Sequence, residues 1–376
     1  MKINAYILRK IKLTMSMCKL ICLENLPSEI LFQIFKQLSL QDIRSVMLSC
    51  KTFYNLIISD NLLWKYLFRK KLIVHSPNNP RITLTWYNKC RISQNWRKGI
   101  FRSMTIIHYT RSYMPMLQMF PEVLYVSVGS KLKCYSTNIG LHNKLLWSLD
   151  VPNARRYDVR TKDISRFTVK ENLIVCGKND GSAAIFEIFE AKRKPRLLKH
   201  IKNCHGDGNV VTAVEVIDHL LVTGGEICMN TNTAEDPYRS ITDIHWHNQN
   251  EIVYVTFTGS IHLFDIRTGT ITYETKDPID ASLHCVRTDK ERAIVVGSSQ
   301  FSHCVLYDLR STRHVQEKYS PVYSLDFDST KLLTTGNKGV TMLRFNVNPR
   351  TTIVQDYSQA FRYSKRHTYI RRNLQR

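Results

Sequence analysis

"VYSLDFDSTKLLTTGNKGVTMLRFN", from Val322 to Asn346, carries the pattern on which the fold turns. A run of β-branched and aromatic residues, "VYSLDF", precedes a second, "KLLTTG". A Gly-containing turn follows, then a third run that ends in an aromatic. Short runs of this kind, bounded by Gly, Asn, Asp and Ser, predict strands joined by tight turns. The third-strand ending recurs upstream as "LKCY", "AAIFEI", "IHLFDI" and "CVLYDL", which makes Tyr135, Phe186, Phe264, Tyr307 and Phe345 the marker aromatics. Their successive spacings are 51, 78, 43 and 38 residues. The 78 divides into two units of 39, with a degenerate member around "VVTAVEVIDHLLVTGGEICM" (Val210 to Met229).

A period near 40 built from short strands marks a WD40-type propeller blade. Phe264-Asp265 and Tyr307-Asp308 stand where that repeat's Trp-Asp normally sits. Six units are countable, from about Met116 to Phe345. A seventh assembles from the flanks "SMTIIHY" and "TTIVQDY", which would close the ring and remove its exposed edges. The competing reading is a β-sandwich, which has no reason to repeat at about 40 residues.

Ahead of the strands the periodicity is helical. In "LENLPSEILFQIFKQLSLQDIRSV" (Leu23 to Val46), Pro27 fits the first turn of a helix, where its missing N–H costs nothing. Ile30, Leu31, Ile34, Phe35 and Leu38 then share an apolar stripe, with Glu29, Gln33, Lys36 and Gln37 opposite. Leu40, Ile43, Val46 and Met47 begin a second amphipathic helix with Asp42 near its N-terminus. "LSCKTFYNLIISDNLLWKYL" supplies a third cluster ending in Trp64. About 45 residues is marginal for an independent core, so apolar surface is left over for a partner or for packing on the propeller. The expected organisation is a basic flexible arm (1–22), an all-α segment (23–70), a linker helix region (71–101), an all-β propeller (102–349), and a basic tail (350–376) available as a closing strand.

Composition bounds the function. The chain has 376 residues, 43% hydrophobic and 23% charged, as in ordinary globular proteins. Its 54 Lys and Arg against 31 Asp and Glu give +23, which favours acidic partners: phosphorylated protein, nucleic acid or an anionic surface. Ten cysteines are scattered singly with no Cys-x-x-Cys pair, as expected of reduced thiols in a cytoplasmic or nuclear protein. The longest run free of charge, Ala293 to Tyr307, is too short and polar to span a bilayer, so no membrane role is expected. The N-terminal "MKINAYILRKIKLTMSMCKL" has five basic residues interrupting every apolar run. It reads as a basic arm, with a mitochondrial presequence as the alternative, and not as a secretory signal.

"LPSEILFQIFKQLSLQDIRSVMLSCKTFYNLIISDNLLWKYL" resembles an F-box over its whole length, in the Leu-Pro start, the Leu-Ser-Cys-Lys middle and the Leu-Trp-Lys end. "RISQNWRKG" (Arg91 to Gly99) is similar to the segment that joins F-box to propeller in F-box/WD40 proteins. "YMPMLQMFPEVLYVS" and "SPVYSLDF" resemble the dactylin subgroup. The resemblance implies a non-catalytic substrate receptor of an SCF (Skp–cullin–F-box) ubiquitin ligase. Its F-box would dock on a Skp-family adaptor and its propeller would recruit a protein for ubiquitination. By position, the adaptor surface would use Leu26, Pro27, Ile30, Leu31, Ile34, Phe35, Leu38, Leu40, Ile43, Cys50 and Trp64, some of which must instead pack the F-box's own core.

No Gly-rich phosphate loop, Gly-x-Ser-x-Gly elbow or His-Glu-x-x-His run is present, so no catalytic residue and no cofactor is expected. "HIKNCHGDG" (His200 to Gly208) and "HWH" (His245 to His247) lack a fourth ligand at defined spacing, so no metal is expected either. Phosphodegron-reading relatives carry arginines on the first strand and in the turn between second and third strands. The matching first-strand places here read Ser165, Thr212, Thr242, His284 and Tyr323, with no arginine among them. The turns supply Lys131, Lys178 and Lys338, which with His284 and Tyr323 form the expected surface for an acidic or phosphorylated client. The alternative is an F-box scaffold whose basic surface, including "FRYSKRHTYIRR" (Phe361 to Arg372), binds nucleic acid.

Overall fold

The computed structural model describes residues 23, 26–76, 83–110, 114–137, 144–154, 162–204, 210–217, 220–225, 241–277, 280–298, 303–315 and 321–348. The basic arm, the basic tail with "TTIVQDY", His205 and most of "HSPNNPR" lie outside the described residues. The chain divides into two compact units. One comprises Met1–Lys71 and Leu84–Cys90, the other Leu72–Thr83 and Arg91–Arg376.

The first unit is helical, with α1 (Ser28–Phe35), α2 (Leu40–Ser49), α3 (Lys51–Ser59) and α4 (Asn61–Leu67). These helices are too short to persist alone, so caps and packing must hold them. Pro27 stands one place earlier than its spacing predicts, at the N-cap of α1, where its carbonyl accepts from Leu31 N at 3.1 Å. Ser39 and Asp42 form a reciprocal capping box on α2. Cys50 Sγ accepts from Phe53 N at the start of α3, and Asp60 Oδ1 accepts from Leu63 N at the start of α4. Phe35 and Phe53 meet edge to face at 5.9 Å. Trp64 donates its indole N–H to Ile57 O at 2.7 Å. A further helix, α5 (Trp86–Lys98), contributes Tyr87 against Trp64 and Cys90 beneath the Trp64 carbonyl.

The second unit is the propeller. Its strands are β1 (Arg102–His108), β2 (Leu117–Met119), β3 (Val123–Val128), β4 (Lys131–Ser136), β5 (Leu145–Asp150), β6 (Ile164–Lys170), β7 (Leu173–Lys178), β8 (Ala183–Glu187), β9 (Arg196–Ile201), β10 (Val211–Ile217) and β11 (Leu220–Gly225). There follow β12 (Ile241–Trp246), β13 (Glu251–Thr256), β14 (Ser260–Asp265), β15 (Thr270–Lys276), β16 (Leu283–Thr288), β17 (Ala293–Ser298), β18 (Cys304–Asp308), β19 (Ser311–Val315), β20 (Ser324–Phe327), β21 (Lys331–Gly336) and β22 (Gly339–Arg344). Among the described residues these form five four-stranded blades, not the six or seven that the spacing predicts.

Two features account for the difference. Strand β1 pairs antiparallel with β22, Met104 opposite Met342, so "SMTIIHY" completes the last blade and does not begin a seventh. The degenerate unit contributes a two-stranded sheet, β10 with β11. Strand β10 packs against β6 and β7 on one side and β12 on the other, so this hairpin stands in the ring between two full blades.

Apolar cores lie between successive blades. One joins Trp147 and Leu149 to Ile174 and Phe186, another joins Val253 and Leu263 to Ile294 and Tyr307, and a third joins Leu117 and Val126 to Leu333 and Val340. The aspartates at strand ends cap the turns that follow them. Asp265 Oδ1 accepts from Arg267 N, Asp289 Oδ1 from Ala293 N, and Asp328 Oδ1 from Lys331 N. The last blade also carries the C-terminal half of α5. Trp96 stacks on Phe345 at 3.7 Å and donates to Ser329 O, while Asn95 donates to Phe345 O.

Candidate functional site

In the helical unit the apolar stripe of α1 splits into two kinds of residue. Leu31 and Phe35 turn inward and are 1% exposed, and Ile43 and Trp64 join them in the core. These four are spent on the unit's own packing. Ile30 and Ile34 lie at the other edge of the stripe and are exposed at 48% and 37%, beside exposed Pro27. Leu26, Leu38, Leu40 and Cys50 are half-buried.

Three exposed apolar residues escaped the sequence reading: Leu48, Tyr54 and Leu62, the last 71% exposed. Leu62 had a signal. Asn61–Leu67 is a single short helix, and of the adjacent Leu62, Leu63 and Trp64 only two reach its inner face.

In the propeller, four of the five first-strand places are structural irregularities of one type, and the fifth, Tyr323, lies just ahead of β20. The ladder slips between Ile164 and Arg166, between Val211 and Ala213, between Ile241 and Asp243, and between Leu283 and Cys285. Ser165, Thr212, Thr242 and His284 are therefore the extra residues of four equivalent β-bulges, which take a side chain out of the pleat and re-aim it. Two of these side chains stitch one inner strand to the next. Ser165 Oγ donates to Val211 O at 2.5 Å, and Thr242 Oγ1 donates to Leu283 O at 2.7 Å.

The first strands of the blades stand next to one another around a central channel, and at one mouth of it His284 and Tyr323 meet, rings edge to face at 6.2 Å, with Phe257 on the other side of His284 at 6.2 Å. Tyr323 is held by a 2.6 Å hydrogen bond from its hydroxyl to Asn337 Oδ1. Burial, with the nearby Arg166 guanidinium second, holds the His284 imidazole below its ordinary pKa and so neutral.

The three turn lysines separate. Lys178 is a correction to the sequence reading: it is fully buried, and its ammonium donates to Val151 O, Pro152 O and Asn153 Oδ1, so it has nothing to offer a client. Burial pushes its pKa down. Lys131 is exposed and lies 3.5 Å from exposed Asp150. Lys338 is exposed in its turn.

The cation that sequence reasoning missed is Arg166. It follows the bulge at Ser165 and reaches across the channel, its Nη2 donating to Thr242 O at 2.5 Å and to His284 O at 3.2 Å, its Nη1 to Met116 Sδ. It sits one place past the position at which an arginine was sought, and only the bulge turns that neighbour into the channel. Among the described residues no group of three or more His, Cys, Asp or Glu could hold a metal ion.

Comparison with known proteins agrees with both halves. Residues 23–70 match the F-box-like family model. Over 343 residues the chain is 20% identical to F-box/WD repeat-containing protein 4 of Homo sapiens, covering 76% of this chain and 82% of that protein. It is 20% identical to the Mus musculus protein of the same name over 372 residues, covering 82% and 90%. F-box/SPRY domain-containing protein 1 of Caenorhabditis elegans is 42% identical over 57 residues, 15% of this chain and 17% of that one. Among solved structures, the WD40 β-propeller domain of Doa1 aligns at a TM-score of 0.40 and 12% identity, over 59% of this chain and 74% of that one. The chain is thus an F-box-like helical segment followed by a WD40-type β-propeller, similar over most of its length to F-box/WD repeat-containing protein 4.

Proposed function

We propose that the chain is the substrate receptor of an SCF-type ubiquitin ligase and is not itself an enzyme. The helical face docks on a Skp-family adaptor and through it on a cullin-based core, and the propeller presents a protein for ubiquitination. The observation that carries this reading is the exposed apolar set Ile30, Ile34, Leu48 and Leu62 on a unit that matches an F-box-like model and whose own core is already filled. Fully burying an exposed side chain of this size is worth about 1.5–3 kcal/mol, so covering these partly exposed ones contributes a fraction of that each towards the cost of association.

Affinity purification of the full chain, read by mass spectrometry, tests the reading. A Skp-family protein and a cullin are expected in the wild type and lost in Ile34→Asp, because an unpaired carboxylate in an apolar interface is costly. Undiminished recovery with Ile34→Asp rejects this face as the docking surface. Recovery of nucleic acid instead, with affinity falling steeply as salt rises, favours the scaffold alternative that the +23 charge motivates.

A further inference from the structure

We propose that the channel mouth beside Arg166 binds one carboxylate of a client chain, with an apolar residue of the same chain against Phe257 and Tyr323. This rests on the receptor reading and names what the propeller recognises.

Arg166 is a half-buried guanidinium held by neutral groups, the carbonyls of Thr242 and His284 and the thioether of Met116. Among the described residues no carboxylate forms an ion pair with it. Asp243, next along the strand from Thr242, is already spent, its Oδ2 accepting from Arg287 Nη1 at 3.1 Å and from Val286 N at 2.9 Å. A charge withdrawn from water without a counter-charge is a standing cost that an anion relieves. The thioether is the weakest of its three acceptors, so the Nη1 donor is the one released most cheaply to a ligand oxygen.

Charge arithmetic selects the kind of anion. Lys178 is locked in the fold, Lys131 lies beside Asp150, and the imidazole of His284 is neutral. Lys338 is solvated on the rim, where it can steer an approaching anion without entering the channel. Of these described cations, with Arg287 already paired to Asp243, Arg166 is therefore the one on the channel wall that has no carboxylate against it. One carboxylate balances it, whereas a phosphate, close to −2 at neutral pH, leaves excess negative charge in a half-buried site. The residue whose carbonyl the guanidinium holds, His284, has its ring flanked by two aromatic rings, Phe257, 40% exposed, and Tyr323, fixed by Asn337. The matching ligand is accordingly an acidic residue or chain terminus flanked by an apolar side chain.

The test uses the full chain and fluorescent nine-residue peptide pools with random flanks and a fixed centre of Glu, Gln or phosphoserine. The Glu pool should bind about tenfold tighter than the Gln pool, the scale of one charge-assisted hydrogen bond, and tighter than the phosphoserine pool. Arg166→Met should erase that preference. Arg166→Lys should reduce it severalfold by losing the planar fork, and Phe257→Ala should weaken all pools while keeping the preference.

If Arg166→Met does not fold, the Lys and Phe257→Ala variants decide the matter, and an unchanged preference in Arg166→Lys overturns the proposal. A wild-type preference for phosphoserine, or none for Glu over Gln, overturns it as well. Adaptor recovery is scored on the same preparations. Lost adaptor with an intact Glu preference rejects the receptor reading alone; retained adaptor without the preference rejects the carboxylate site alone.

Discussion

The helical unit and the propeller handle apolar surface in opposite ways. In the propeller even the polar groups go inside. Strand Ala293–Ser298 is buried along its whole length, and Lys178, Ser182, Thr334 and Thr335 are all fully covered. Each blade lies between two neighbours, so both of its faces have a partner within the chain. The helical unit has only one filled side. Its helices of seven to ten residues bury Leu31, Phe35, Ile43 and Trp64 and leave Ile30, Leu48 and Leu62 outward. The contrast teaches which unit covers its apolar surface within the chain and which leaves part of it exposed.

The sharpest way to break the contrast is at the seam that completes the propeller. A Cβ on Gly339 would lie 1.9 Å from Ile107 O, and its φ of 153° is one that other residues rarely adopt. Gly339→Ala should therefore cost about 3 kcal/mol or more by forcing β1 off β22, measured by chemical denaturation. A cost below about 1 kcal/mol would show that the seam yields freely.

Next in size are two neighbouring substitutions in α1. Leu31→Asp places a carboxylate in the core and should lose the helical circular-dichroism signal of the unit at a cost of about 3 kcal/mol or more. Ile34→Asp, on the exposed edge, should stay within about 0.5 kcal/mol of the wild type while losing the adaptor. Equal destabilisation by both would erase the distinction between the core and surface edges of α1.

Acid should act on the propeller through buried His247 and half-buried His284. Burial holds His247 and His284 below the ordinary value of 6.5, so the unfolded chain binds their protons first. Their contribution is complete above about pH 6.5 and is lost as pH falls below it, by at most about 1.4 kcal/mol per pH unit for each. Urea melts at pH 7.5 and 5.5 measure this, and replacing His247 with Gln should flatten the slope. The smallest effect is expected from Lys131→Glu and Lys338→Glu, each within about 0.5 kcal/mol in stability because exposed ion pairs contribute little.

Much of this was legible in the sequence. The 40-residue period identifies blades because each repeat is one unit that must stack on another. The count was not legible, because β1 and β22 pair across most of the chain and a pattern read locally places "SMTIIHY" in a blade of its own. The stripe from Ile30 to Leu38 was legible as apolar, yet it is wide enough to hold both core and surface residues, and only packing divides Leu31 from Ile30. Arg166 was hidden for a different reason. A bulge shifts the side-chain alternation by one, and nothing in "DISRFTVK" announces it.

The pairing of β1 with β22 also sets a timetable for synthesis. Arg102 meets Arg344, so the first strand of the propeller waits for the last while more than two hundred residues are made between them. At roughly 5–20 residues per second, that wait is on the order of tens of seconds. Throughout it the strand lacks its final partner, and the growing fan of blades carries an open edge that invites pairing with other chains. The protein is thus most vulnerable just before it is finished, and its yield in a cell should depend on how well that interval is chaperoned.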